Sequence, residues 1–328
     1  MKTHDIHFCT LCDRNFLPIA VTLSLSMKNS WMANPLTIFC MDDYTYACLN
    51  KIKSAINVKP VNVQEYLSDD IKTLKNKRKI QEYCWTIKPF LIDYMFAIDP
   101  EIQIAAFVDS DLYFFMNPEL LLLEDFSNNP QLNVLLTYHQ FAPRYKRGER
   151  FGKTCTQFYA FKKTEKALDI LRWWQKKCIE CCDNRVTATT FSDQKHLDFV
   201  PDKYKHAIGY LSNKQAILGP WNVEHYMKDK SEDWFPICYH AHGLRVYSNW
   251  TVRLLTGYKL PSAYRFYHEY MEHLKIAVKL IQQHCGADVI QVQSKTTPRQ
   301  ILMKMLGIHW ELTFKQYMGG FNSEGNAG

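Results

Sequence analysis

Asp109 and Asp111 stand one residue apart in IAAFVDSDLYFF, at the junction of an apolar run and an aromatic one. On extended backbone, side chains at i and i+2 point to the same side, so two carboxylates at this spacing repel unless a cation lies between them. A carboxylate pair at the end of a buried strand is a common way to hold one Mg²⁺ or Mn²⁺ beside substrate phosphates. D-x-D in a loop can also be turn chemistry alone; its position directly after an apolar run is what favours the metal. Two cysteine groups are a second candidate chemistry: Cys9 and Cys12 in CTLC, and Cys178, Cys181 and Cys182 in CIECC, have half-motif spacings of zinc or redox sites. The first lies in a strand-like run and the second follows a helical stretch, so buried thiols acting as small hydrophobes are the expectation.

What must position the acid pair is an alternation of strands and helices. IHFCTL (6–11) reads as a buried strand, DRNFLPIAVTLSLSMKNS as a turn and helix, and PLTIFCMDD (35–43) as a second strand ending in acids. YTYACLNKIKSAI reads as the next helix and VKPVNVQEYL (58–67) as a short third strand. The charged stretch 69–80 precedes a helix over 82–98 that leads into the acid-pair strand; 132–139 and 155–163 read as further strands, and TEKALDILRWWQKKCIECC as a long helix with RWW (172–174) on its core face. Such alternation predicts a doubly wound, parallel sheet, with ligands at the carboxyl ends of its strands. From about 257 the pattern is helical, over SAYRFYHEYMEHLKIAVKLIQQH and TPRQILMKMLGIHWELTFKQYM, before a flexible tail GGFNSEGNAG. The expectation is a catalytic domain over 1–256 and a helical C-terminal extension over 257–328.

Composition narrows the class. With 47 % hydrophobic residues and few Gly or Pro, the 328-residue chain is a packed globular protein. Its net charge of +7 favours anionic partners such as phosphorylated ligands or a membrane surface, without the dense basic footprint of a nucleic-acid binder. No apolar run reaches about 18 residues, and MKTHDIHFCTLCDRN has no apolar signal core. A cytoplasmic location is expected, and with it reduced thiols for the eleven cysteines.

FVDSDLYFF resembles the D-x-D element of GT-A glycosyltransferases, and four further segments resemble glycosyltransferase family 8 and its bacterial surface-polysaccharide relatives. FCTLCDRNFLPIAVTLSLSMKNS is similar to that family's first strand and helix, FSDQKHLD (191–198) to its D-Q-x-x-L-N segment, GPWNV (219–223) to its W-N element, and YHAHGL (239–244) to its H-x-x-G turn. The resemblance implies a GT-A (Rossmann-like) α/β fold with a mixed, mainly parallel sheet flanked by helices. It implies a retaining transfer of a sugar from a UDP-sugar to a glycan or lipid-linked acceptor. In those terms Asp109, Asp111 and His240 hold Mn²⁺ or Mg²⁺, with His242 as the alternative to His240. Thr10, Asp13, Asn15 and Phe16 meet the nucleoside, and Lys88 touches the donor sugar or diphosphate. Asp193 bonds sugar hydroxyls and Gln194 lies near the anomeric carbon; Gln157, Trp221 and Asn222 complete the donor site with Asp109.

The chain departs from the family pattern at three places. Lys195 stands where an acid is frequent, CTQFYAF lacks the usual N-A-G and offers Gln157, and Arg245 is out of register with the lysine that follows the H-x-x-G turn. Trp85 and Trp221 are the aromatic rings that could stack on a sugar. The basic loop QFAPRYKRGERFGKT (140–154) could meet an acceptor or simply be solvated. The stretch SKTTPRQILMKMLGIHWELTFKQYM could lie on an anionic bilayer or pack on the catalytic domain. A nucleotidyltransferase would carry a Gly-rich basic loop after the first strand, which TLCDRNFLPIA lacks. A nucleotide-sugar hydrolase and a non-catalytic sugar-nucleotide-binding protein are the other readings; the second predicts damage to the metal ligands, which are all present.

Overall fold

The computed structural model describes residues 2–30, 32–231, 233–249, 251–259, 264–286, 289–292, 297–306 and 309–313. Its strands are β1 (Ile6–Cys12), β2 (Leu36–Cys40), β3 (Val58–Asn62), β4 (Ile104–Val108), β5 (Leu112–Phe114), β6 (Val134–Tyr138), β7 (Thr154–Lys162), β8 (Ile208–Tyr210), β9 (Ile217–Leu218), β10 (Cys238–His240), β11 (Arg245–Val246), β12 (Thr251–Thr256) and β13 (His309–Thr313). The helices are α1 (Leu17–Asn29), α2 (Asp43–Ile56), α3 (Asp69–Leu74), α4 (Ile80–Ile98), α5 (Pro118–Asn128), α6 (Glu165–Glu180), α7 (Asp202–Lys205), α8 (Val223–Met227), α9 (Tyr264–Cys285) and α10 (Pro298–Met305).

The main sheet has the order β3-β2-β1-β4-β7-β6-β8. β1 to β4 run parallel, while β7 lies antiparallel to both β4 and β6, so the sheet is mixed rather than wholly parallel. Local chemistry sets the element ends. Asp42 caps α2 by accepting from Thr45 N at 2.8 Å, and Asn57 ends the same helix in left-handed backbone, φ 54°. Thr164 caps α6, and Asn117 followed by Pro118 starts α5.

Side chains alternating on the sheet feed two cores. One gathers Phe8, Ile38 and Ala106 with α1, α2 and α9; the other gathers Cys9, Phe107 and Tyr159 with α4 and α6. Trp174 of the RWW stretch is fully buried in the second core and stacks on Phe161. The segment expected to extend beyond the catalytic domain shares the first core: Tyr267, Tyr270, Leu274 and Val278 of α9 are buried there.

Two small sheets finish the fold. β5-β10-β9 takes over the chain where β4 ends, and β11-β12-β13 is antiparallel. HWELT was expected to be helical; it forms β13 instead, because the exposed edge of β12 supplies its backbone partners. The C-terminal tail beyond 313 lies outside the described residues. The cysteines also depart from expectation, since Cys48 of α2 is bonded to Cys285 at the end of α9, while the CTLC and CIECC thiols are free. Among the described residues no helix is long and apolar enough to cross a membrane.

Candidate functional site

Asp109-Ser110-Asp111 is the seam between two sheets: β4 ends at Val108 and β5 begins at Leu112. Across the seam, β10 pairs with β5 so that His240 lies opposite Leu112, and Ala241 N donates to Asp111 O at 2.9 Å. This register puts His240 Nε2 2.9 Å from Asp111 Oδ1. The other ring nitrogen, Nδ1, is bound by Gln157 Oε1 from β7. With Gln157 accepting, Nδ1 carries a proton, so Nε2 and the carboxylate oxygen face each other as two lone pairs needing one positive charge between them. The electrostatics agree. Burial alone would lower His240, but Asp111 outweighs it and raises the imidazole; burial would raise Asp111, and His240 holds it well below the usual carboxylate range.

His242, two residues on, joins this pair. The ligand atoms of Asp111, His240 and His242 all lie within 4.8 Å of one another. Both histidines thus stand beside Asp111, where the sequence offered His242 as the alternative to His240. One carboxylate and two imidazoles fit a single divalent cation of borderline type, Mn²⁺ better than Mg²⁺.

Asp109 takes a different partner. Lys88 of α4, fully enclosed, places Nζ 2.9 Å from Asp109 Oδ1, 2.8 Å from Thr156 O and 3.4 Å from Thr156 Oγ1. The same ammonium lies 3.7 Å from Asp193 Oδ2. Burial would strip its proton, but Asp109 and Asp193 raise it, so the ammonium is retained. Lys88 was expected at the donor; the structure uses its donors on the protein, locking the first acid of the pair to Asp193. Asp193 itself is held by Ser192 Oγ at 2.8 Å and by Trp174 Nε1, which donates to its backbone carbonyl at 2.8 Å. Its Oδ2 is buried without a hydrogen bond. Ser192, immediately before, has left-handed backbone, φ 50°, a conformation that costs on the order of 1 kcal/mol and collects at functional sites.

Asp13 caps the turn after β1 by accepting from Phe16 N at 3.0 Å, and burial raises its carboxyl. Asn15 is turned to the C-terminal segment, accepting from Gln291 N at 3.2 Å, and Arg14 Nε donates to Val289 O at 2.6 Å. Arg245, whose register was in question, lies with its guanidinium 4.3 Å from the Phe16 ring centroid. Thr10 is buried in β1 with its hydroxyl unpartnered.

Trp221 is 3 % exposed, so no ring face is open to a sugar. Its edge-on contacts to His240 and His242, at 5.4 and 5.6 Å between centroids, steady the two imidazoles. Trp221 Nε1 and Asn222 Nδ2 both donate to His139 O, at 2.6 and 3.1 Å. Gln194 donates to Phe151 O at 3.0 Å. Lys195, the unexpected cation, is buried and donates to Arg150 O and Thr187 O: it ties two loops together. Trp85 packs against Phe191.

Among solved structures, the glycosyltransferase GlyE of Streptococcus pneumoniae TIGR4 superposes with a TM-score of 0.50 at 10 % identity, over 88 % of this chain and 66 % of that one. The fold is that of the GT-A glycosyltransferases. Two uncharacterized proteins of Bacillus subtilis strain 168 are related in sequence. YfnF is 28 % identical over 285 residues, 81 % of this chain and 92 % of its own, and YfnD 25 % over 279 residues, 82 % and 87 %. No family model matches the chain.

Within that fold, sequence reasoning missed His139, Thr156 and Tyr258 as parts of the site's frame; the Tyr258 ring lies 6.3 Å from those of Trp221 and His242. His139 and Thr156 carried no pattern of their own. For Thr156 the available pointer was its neighbour Gln157 in β7.

Proposed function

We propose that the protein is a divalent-metal-dependent glycosyltransferase of the family 8 type, moving a sugar from a UDP-sugar to a glycan or lipid-linked acceptor of bacterial surface polysaccharide. The observation that carries this is the gathering of Asp111, His240 and His242 at the seam after β4, in a GT-A fold. Bound there, Mn²⁺ or Mg²⁺ would supply Lewis-acid neutralisation of the departing diphosphate. Gln157 fixes the tautomer of His240, and Trp221 its orientation. Lys88 ties Asp109 to Asp193 and holds both side chains in place, and Asp193, whose buried Oδ2 has no hydrogen bond, is the group that would bond a sugar hydroxyl. Gln194 is the neighbour of the reacting carbon. Retention of configuration belongs to the same reading, with donor and acceptor held close on one face. The turn at Asp13–Phe16 and the Thr10 hydroxyl border the nucleoside. Work at the cytoplasmic face of a membrane fits α10, where Ile301, Leu302 and Met305 are exposed.

The test is thermal unfolding with UDP and a panel of UDP-sugars, in Mn²⁺ and in EDTA, for the wild type and Asp111→Ala. A ligand at about a hundred times its Kd stabilises by about 2.7 kcal/mol. A metal-dependent rise in Tm that Asp111→Ala abolishes is expected. Equal Tm with and without every nucleotide sinks the proposal.

A further inference from the structure

The loop between β6 and β7 is closed at its neck and fastened along its length. His139 N donates to Lys153 O at 2.9 Å, and the buried His139 Nδ1 reaches Gly152 O at 2.9 Å. Gly152 has φ 104°, a turn that a side chain would strain. On one side the loop is bound to the metal corner: Ala142 N donates to Trp221 O at 3.0 Å, and Tyr145 packs edge-on against Tyr258, which adjoins His242. On the other it is bound beside Asp193, through Gln194 to Phe151 O and Lys195 to Arg150 O. Gly148 rests on the Phe141 ring so closely that a Cβ would lie 2.4 Å from it.

A loop held this firmly usually serves to present side chains, and those it presents are basic. Residues 144–153 contain Arg144, Lys146, Arg147, Arg150 and Lys153 against one acid, Glu149. Arg144 is paired with Glu224 at 2.8 Å. Lys146, Arg147 and Arg150 are exposed and meet no carboxylate among the described residues. Like charges crowded on one firmly held loop make a local positive potential, which water and salt screen in part and which attracts a ligand that brings negative charge.

We propose that this loop is the acceptor-binding wall of the site and that the acceptor carries a phosphate or carboxylate near the hydroxyl to be glycosylated. The inference rests on the glycosyltransferase reading and names the acceptor class for it. The anion can sit on a soluble glycan or at a lipid headgroup, and the test separates the two.

Full-length protein is titrated calorimetrically, in UDP and Mn²⁺, with glucose 1-phosphate, glucuronate and glucose. It is also sedimented with phosphatidylcholine vesicles with and without phosphatidylglycerol. The charge-reversed variant Lys146→Glu/Arg147→Glu/Arg150→Glu is run in parallel. The charged sugars are expected to bind at least about tenfold more tightly than glucose, with the preference fading in salt and absent from the variant, whose UDP-induced Tm rise is unchanged. Binding only to the anionic vesicles, lost in the variant, supports the proposal with the lipid as source. Equal binding of charged and neutral probes, or no binding of any charged probe, with the UDP response intact, overturns the acceptor proposal alone. Loss of the UDP response in the wild type overturns the glycosyltransferase reading and this inference with it.

Discussion

Asp109 and Asp111 are separated by one serine, yet the first is paired with a buried ammonium and the second with an imidazole. Burial raises the carboxyl of Asp109 despite Lys88, whereas His240 holds that of Asp111 low. The lysine corner has its cation built in: three protein oxygens surround Nζ within 3.4 Å, and Asp193 is next. At the other corner the charge between Nε2 and the carboxylate is a proton that another cation can replace. One corner is made for permanence, the other for exchange. Under the proposed function, the D-x-D pair splits its duties: Asp109 holds the site together and Asp111 binds.

The largest expected effect tests the permanent corner. Lys88→Met leaves the buried Asp193 and the part-buried Asp109 without their cation, and urea unfolding should show a loss on the order of 3 kcal/mol; a loss under about 1 kcal/mol would show that the two corners do not differ. Asp111→Asn should do the reverse. Mn²⁺ binding, followed by titration calorimetry, is expected to weaken at least about 100-fold, while stability in urea falls by less than in Lys88→Met, since the carboxylate that His240 holds low also contributes to folding. Gln157→Leu sharpens the picture, since His240 keeps its place in β10 but loses its tautomer; metal affinity should fall about tenfold. The smallest effect is expected from Arg172→Ala, which breaks an exposed pair with Asp169 at 3.0 Å and should leave the urea midpoint unmoved, because solvent already screens both charges. A large change there would mean that burial is not what separates Lys88 from other ion pairs.

Much of this was legible in the chain. An apolar run ending in D-x-D announces a strand end with paired acids, and alternating strands and helices announce the layered sheet. What could not be read is which acid meets which cation. Lys88 lies on a helix 21 positions before Asp109, and only the rotation of that helix on the sheet directs its side chain to the first acid rather than to solvent. His242 was weighed as a rival of His240 because spacing alone cannot tell one ligand from two; the turn after β10 brings both rings to Asp111. Lys195 looked like a lost acid, and its burial against two loop carbonyls explains the exchange. HWELT failed for a different reason: five residues are too few for periodicity to separate helix from strand, and its partner β12 lies more than fifty residues away in the chain.

The turn at Asp13–Phe16 also has a consequence for how the protein is made. Arg14 and Asn15 find their partners at Val289 and Gln291, separated from them by 275 and 276 residues, and Cys48 waits 237 residues for Cys285. Synthesis proceeds from the N-terminus, and a nascent chain folds what has already emerged. A ribosome halted before residue 285 has exposed every strand of the main sheet and the whole acid pair, yet the first turn still lacks the groups that close over it. One of the first turns to be synthesised is among the last to be finished.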